Sequence, residues 1–137
     1  MDLRILTFLV LVAWPGTVVS GTSGGLCPEA NSTPEITDCL GAEVEKAEGE
    51  LSRYLEEARG LLADREEARK LLIASQDSWT EQRDLFCGAI SESYSPGTMA
   101  GPALLGWKLE LTKQRTHQIW DAFIRTSSSS LQEPGVE

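Results

Sequence analysis

Apolar residues recur at steps of three and four along the first half of the chain. The repeat runs from Ile36 to Leu62. Between these two residues it contains Leu40, Val44, Ala47, Leu51, Leu55 and Ala58. Because an α-helix turns once every 3.6 residues, this spacing puts them all on one face of an amphipathic helix. No segment alternates apolar and polar residues over enough positions to suggest a sheet. The sequence therefore predicts an all-α fold, a small antiparallel bundle of about three main helices.

Capping signals predict where the first two helices begin. Thr33 is a suitable N-cap, and Pro34 suits the first helical position. Asp64 and Glu67 resemble a capping box, with the acidic N-cap three residues before a glutamate. We expect a second helix to begin there, although the first helix could instead continue through this point.

The second and third helices have predicted inner faces of their own. The second is expected to bury Ala68, Leu72, Ser75, Trp79, Phe86 and Ile90. A turn at 95–98 follows, and Gly101-Pro102 opens the third helix. Its expected inner positions are Leu105, Leu109, Thr112, Ile119 and Phe123.

The N-terminus has the features of a secretory signal peptide over residues 1–20. Ile5–Trp14 is apolar, Pro15-Gly16 ends the run, and cleavage is expected between Ser20 and Gly21. A membrane anchor would need roughly 20 apolar residues. A lipoprotein signal is the other alternative, but the residues before Cys27 match that pattern poorly. We therefore expect export to the periplasm or the medium, with no stable membrane insertion after cleavage.

The remaining chain divides into three parts. Residues 21–33, rich in Gly, Ser and Thr, are expected to form an N-terminal loop. Residues 34–125 form the predicted helical domain. Residues 126–137, which begin with Thr126 and four serines, are expected to be a disordered tail.

Export permits disulfides, but the three cysteines are an odd number. Cys27 and Cys39 flank a turn-rich stretch and are the expected pair, which ties the N-terminal loop to the helical domain. Cys87 is then an unpaired thiol. It is either a buried small hydrophobe or the site of a Cys87-linked dimer.

The formal net charge of −9 argues against nucleic acid and anionic lipid as partners. Eight acidic and two basic residues lie between positions 35 and 57. This excess is either a solvated face that complements the other helices or a surface for a protein partner. The candidate partner-binding acidic face comprises Glu43, Glu45, Glu50, Glu56 and Glu57.

One polar constellation stands out on the second helix. Gln76, Trp79, Arg83 and Cys87 follow at steps of three, four and four, and so share a face. A guanidinium among apolar neighbours must be paired, because burial of a lone charge is costly. Glu48 on the first helix is the candidate partner, and Arg83 could also stack on Trp79. The set is interpreted as a clamp that fixes helix register, and the alternative is a ligand-binding role.

Catalytic chemistry has little support. His117 is the only histidine, and no motif surrounds it. The acidic pairs Glu56-Glu57 and Glu66-Glu67 are typical of solvated helix faces, although glycosidases use paired carboxylates. Neither a cofactor nor a metal site is expected, and no residue is proposed as catalytic.

Several motifs together resemble the LprI-type lysozyme-inhibitor domain, a small exported helical domain of bacteria. The resemblance spans about Cys27 to Arg125. Its elements are Cys27-x-x-Ala30 with Thr33, Glu35 and Cys39; Ala47-Glu48-x-Glu50-Leu51; Gln76-x-x-Trp79-x-x-x-Arg83-x-x-x-Cys87; and Leu111-Thr112-x-x-Arg115.

The family residues that map onto this chain are Glu48, Leu51, Gln76, Trp79, Arg83, Thr112 and Arg115. We interpret them as structural. The family pattern has a fourth cysteine where Trp107 stands, so Cys87 lacks its usual partner and Trp107 is expected to fill the gap by packing.

The resemblance implies a binding protein that inhibits a lysozyme, an enzyme that is commonly basic. The alternative function is a non-catalytic adaptor or structural domain of the cell envelope with an unknown protein partner.

Overall fold

The computed structural model describes residues 25–135. These residues form three α-helices and no strand. The helices are α1 (Thr33–Leu61), α2 (Glu66–Ser93) and α3 (Ala100–Ile119), and α3 continues into a π-helical turn, Trp120–Ile124. The all-α fold predicted from the apolar repeat is confirmed.

The predicted signal peptide, residues 1–20, lies outside the described residues, as do 21–24 of the predicted loop and 136–137 of the predicted tail. Among the helices that are described, none combines the length and the apolar character needed to span a membrane.

The first helix begins one residue earlier than predicted. Ser32, and not Thr33, is the N-cap, and its Oγ accepts a hydrogen bond from the Glu35 amide at 3.4 Å. The Glu35 carboxylate in turn accepts from the Asn31 amide at 2.7 Å. The hydrogen bonds from Asn31 and Ser32 lower the pKa of Glu35. Ser32 and Glu35 thus form the Ser-x-x-Glu arrangement that caps a helix start.

A short turn separates α1 from α2, which settles the choice between one long helix and two. Leu62 is the C-cap of α1, and the Arg65 amide donates to the Leu62 carbonyl at 2.9 Å. The N-cap of α2 is Arg65, without a side-chain hydrogen bond. The predicted capping box of Asp64 and Glu67 is therefore wrong, because Asp64 lies inside the turn.

The main core forms where the α1–α2 turn meets the end of α3. Its buried members are Leu51, Tyr54, Ala58, Leu62, Leu72, Ile119 and Ile124. A second cluster, Val44, Ala47 and Leu109, joins α1 to α3 nearer the N-terminus of α1. α3 packs along both α1 and α2 and is the central helix of the bundle.

Two predicted inner positions of α2 lie on its surface. Ser75 is exposed, and Phe86 is almost half exposed. Phe86 packs edge-on against Trp107 of α3, with 5.8 Å between ring centroids. The prediction for these two residues is wrong because α2 buries little: Leu72, Arg83 and Cys87 are its buried residues.

The C-terminal segment, residues 126–135, lies against the bundle, where we expected a disordered tail. Leu131 packs on the main core. The Tyr54 hydroxyl donates to the Gln132 carbonyl at 2.6 Å. His117 Nε2 and Glu133 Oε1 are 3.0 Å apart. One leucine and two polar contacts thus hold a segment whose composition predicts disorder.

The Cys27–Cys39 disulfide is present, as predicted, and connects the N-terminal loop to the second turn of α1. Cys87 is free and buried. Burial raises the pKa of its thiol. A Cys87-linked dimer would need this sulfur at the surface, so the structure favours the alternative of a buried small side chain.

Candidate functional site

Arg83 connects all three helices from a buried position on α2. Only 5% of its side chain is exposed. Its Nη1 lies 3.0 Å from Glu48 Oε1 on α1 and donates to Thr112 Oγ1 on α3 at 2.9 Å. Glu48, the candidate partner on the facing first helix, is therefore in contact with Arg83.

Two further charges complete this network. Arg83 Nη2 is 3.0 Å from Asp84 Oδ1. Lys108 Nζ lies 3.4 Å from Glu48 Oε1 and 3.7 Å from Asp84 Oδ1. Glu48 and Asp84 are about half exposed, so water reaches the two carboxylates but hardly the guanidinium.

A second polar layer lies one turn away along α2. The Arg83 guanidinium is 5.1 Å from the Trp79 ring centroid, and that of Arg115 is 5.7 Å from the same ring. Arg115 Nε donates to Gln76 Oε1 at 3.0 Å, and its Nη2 donates to Ser75 Oγ at 2.9 Å. Burial lowers the pKa of the Arg115 guanidinium.

Of the seven family-motif residues, the structure brings six into these two layers. They are Glu48, Gln76, Trp79, Arg83, Thr112 and Arg115, while Leu51 lies in the main core. Their donors and acceptors point at one another across helix boundaries. The arrangement can fix the register of α2 against α1 and α3, and it offers little to an external ligand.

The predicted acidic face of α1 is divided between two directions. Glu45 and Glu56 are exposed and point away from the bundle. Glu43, Glu50 and Glu57 are half-buried along another edge. Their spacing explains the split: residues seven apart return to one side of a helix, whereas Glu45 and Glu56 fall on another.

The edge with Glu43 and Glu50 forms a groove of about 450 Å³ with the C-terminal segment. Three basic residues, Lys46, Arg53 and Lys113, line the same groove. Glu133 adds a third carboxylate. Acids and bases balance there, so the groove is not the strongly acidic surface that the composition of α1 suggested.

The residues considered for catalysis are dispersed. His117 contacts Glu133, Glu56 pairs with Arg59 at 3.2 Å, and Glu66 pairs with Lys70 at 2.8 Å. Across residues 25–135, no three His, Cys, Asp or Glu side chains are grouped so as to hold a metal ion.

One surface of the protein was not predicted from the sequence. Large apolar side chains are exposed on α2, on α3 and in the turn between them: Leu85, Phe86, Tyr94, Met99 and Trp107. The available signal was Leu85, which falls outside the apolar face of α2. Trp107 was expected to fill the gap left by the missing cysteine through packing; it contacts Phe86, but 46% of it is exposed.

Comparison with known proteins identifies one family. A family model described as "Lysozyme inhibitor LprI" matches residues 27–119. No curated protein and no solved structure gives a significant match.

Proposed function

The chain belongs to the LprI family of lysozyme inhibitors, and from this we propose that it is an exported protein that inhibits lysozyme-type muramidases by binding them. The matched region, residues 27–119, is more than half of the 137-residue chain and includes all three helices. This match is the observation that carries the proposal. An inhibitor of this kind acts by occupying its target and needs no catalytic residue of its own.

The charge of the protein supports a basic target. The formal net charge is −9, and lysozymes are commonly basic. Opposite net charges accelerate the encounter of two proteins and orient them as they approach. We propose that Glu45 and Glu56, which point away from the bundle, contribute to this attraction, together with the half-buried Glu43, Glu50 and Glu57.

The polar cluster around Arg83 is not the proposed binding surface. Its groups are already paired with one another, and a partner would have to replace those contacts. The proposal therefore places inhibition on the outer surface and gives the cluster a supporting role.

The direct test is lysis of bacterial cell walls by egg-white lysozyme, followed as loss of turbidity while the purified protein is titrated in. We expect saturable inhibition near stoichiometric amounts that persists at moderate salt. Cys87→Ser serves as a control and should inhibit equally. If the protein leaves the rate unchanged for egg-white lysozyme and for several other lysozyme types, the proposed function is wrong, and a structural or adaptor role in the envelope becomes the better explanation.

Export and processing form a second part of the proposal. We propose that residues 1–20 are removed as a signal peptide and that the mature protein consists of the loop, the helical domain over 34–125 and the C-terminal segment. N-terminal sequencing of the exported protein should begin at Gly21. A mature chain that keeps Met1 would contradict the signal-peptide assignment.

A further inference from the structure

Phe86 of α2 and Trp107 of α3 form an exposed pair that we call the aromatic ridge. Their rings meet edge to face at 5.8 Å and 83°. About 45% of Phe86 and 46% of Trp107 remain exposed. Soluble proteins rarely leave large apolar side chains clustered on the surface unless another molecule covers them.

The aromatic ridge separates two apolar grooves. On one side, Trp79, Leu85, Phe86 and Leu111 line a groove of about 650 Å³. On the other side, Trp107 lines a groove of about 490 Å³ with Ile36, Leu40, Tyr94, Met99 and Pro102. A ridge flanked by two grooves can insert into a partner and receive side chains from it. Paired aromatic side chains also lose little conformational freedom on binding.

The charged groups beside the ridge are acidic. Glu81 lines the first groove and Glu110 the second, and both are exposed. The one basic residue lining either groove is Arg83, whose charge is buried and paired with Glu48 and Asp84. An aromatic centre with a polar rim is the usual anatomy of a protein-binding surface.

The sign of this rim selects the kind of partner. A basic protein would place its cations opposite Glu81 and Glu110, whereas a second copy of this chain would bring like charges together. The net charge of −9 disfavours self-association further. The groove between α1 and the C-terminal segment is a weaker candidate for binding a basic protein, because its three basic residues offset its carboxylates.

We infer that the aromatic ridge and its two grooves are the surface that contacts a basic protein partner, with Trp107 and Phe86 as anchors and Glu81 and Glu110 as the rim. The inference rests on the proposed function, and it adds the location of the contact. The direct contact with the partner is made by α2 and α3, whereas the acidic residues of α1 attract the partner before contact.

The experiment compares ridge variants with matched surface variants in binding kinetics to immobilised egg-white lysozyme. Leu85→Ala and Leu71→Ala form one matched pair, because both leucines lie on α2 and are 69% and 63% exposed. Leu85 lines a groove beside the ridge, and Leu71 does not. Trp107→Ala removes an anchor, and Trp107→Phe keeps an aromatic ring there.

Trp107→Ala should raise Kd by about 30-fold or more, chiefly through faster dissociation, as truncation of an aromatic anchor does in other interfaces. Leu85→Ala should weaken binding severalfold, Trp107→Phe should recover most of the affinity, and Leu71→Ala should stay within about twofold of wild type. Circular dichroism and thermal unfolding of each variant separate lost contacts from lost folding.

Hydroxyl-radical footprinting of the wild-type complex gives a second readout that needs no variant. Trp107 and Met99 should be protected in the complex, while exposed Leu71 should react as in the free protein. Wild-type binding combined with unchanged affinity of the ridge variants, or with no protection at Trp107, would overturn the surface assignment and leave the proposed function intact.

Absence of wild-type binding would overturn both the function and the surface. Analytical ultracentrifugation of the protein alone tests whether a second copy of this chain occupies the ridge instead. A dimer that Trp107→Ala dissociates would assign the ridge to a second copy and overturn its assignment to a basic partner, whereas a monomer agrees with the inference.

Discussion

At the scale of single residues, removing Arg83 and removing its carboxylate partners have different consequences for the groups that remain. The guanidinium is buried, but Glu48 and Asp84 can be hydrated if it is removed. Thr112 would also keep a hydrogen bond, because its hydroxyl donates to the Lys108 carbonyl at 2.7 Å. Loss of Arg83 therefore leaves no buried charge without a partner, whereas loss of the carboxylates does.

This asymmetry gives a test by urea unfolding. Arg83→Met keeps the volume of the side chain and should lower the free energy of unfolding by about 1–2 kcal/mol. The double variant Glu48→Ala/Asp84→Ala leaves Arg83 and Lys108 together without a carboxylate. We expect this double variant to lower the free energy of unfolding by about 3 kcal/mol. This value is at the low end of the range for a broken buried ion pair, because both carboxylates are half exposed. The opposite order of stabilities would contradict this account of the cluster.

Cys87 should make stability depend on pH above neutrality. Burial raises the pKa of its thiol, so the folded state holds the proton more tightly than the unfolded state does. The resulting stability is complete below the pKa of the unfolded thiol, near 8.5, and is lost as pH rises through the folded pKa. Between about pH 8 and pH 10, wild type should therefore lose stability faster than Cys87→Ala.

The measured quantity is the difference in unfolding free energy between wild type and Cys87→Ala. Any pH dependence that both proteins share cancels in this difference. Burial also raises the pKa of Tyr54, and that effect is present in both. Denaturant unfolding without oxygen, at several pH values, measures the difference. A difference that stays constant with pH would show that the thiol does not titrate in this way.

At the scale of elements, α2 and the C-terminal segment are attached by unlike means. The buried residues of α2 are only Leu72, Arg83 and Cys87, so its position depends strongly on the polar cluster. Residues 126–135 depend on Leu131 and on the hydrogen bond from Tyr54 to Gln132. Few contacts hold the C-terminal segment, and we expect it to open locally before the bundle unfolds.

Tyr54→Phe should loosen that segment without disturbing the helices. The lost hydrogen bond to the Gln132 carbonyl should cost about 1 kcal/mol. Amide hydrogen exchange should accelerate in residues 126–133, while α1 and α3 keep their protection. Tyr94→Phe is the matched control, because Tyr94 is exposed in the α2–α3 turn. Equal exchange in the two variants would mean that Tyr54 does not hold the segment.

At the scale of the whole molecule, the largest acidic excess and the exposed aromatic residues lie on different elements. The largest excess of acidic residues lies on α1, whereas the exposed aromatic residues belong to α2, α3 and their turn. Charge that points into solvent acts over a distance and is screened by salt, while apolar contact acts only once surfaces meet. Association and dissociation should therefore respond to different conditions.

Salt should separate the two contributions. Raising ionic strength from about 20 mM to about 300 mM should slow association with egg-white lysozyme about tenfold and leave dissociation nearly unchanged. Glu45→Gln/Glu56→Gln should reduce the association rate at low salt and differ little from wild type at high salt. Stopped-flow fluorescence measures both rates. Dissociation that accelerates strongly with salt would mean that ion pairs, and not apolar contacts, hold the complex.

Local chemistry made much of the fold predictable. The apolar repeat identified α1 and its buried face because helical periodicity needs only sequence, and Val44, Ala47, Leu51 and Ala58 are indeed buried. The short spacing between Cys27 and Cys39 was also sufficient to predict their disulfide. The error at Asp64 has a local cause. Asp64 lies in the turn, two residues before the first residue of α2, and an aspartate so close to a helix start resembles an N-cap.

The sequence by itself therefore determined the all-α class, the start of α1 to within one residue, the disulfide, and the need for Arg83 to be paired. Each of these follows from periodicity, capping residues, a short turn-rich loop or the cost of a buried charge. Only the tertiary structure decided which way Phe86 and Trp107 face, how the α1 carboxylates divide and where residues 126–135 lie. Those features depend on which helix packs against which, and α3 took the central place, which left one side of α2 exposed.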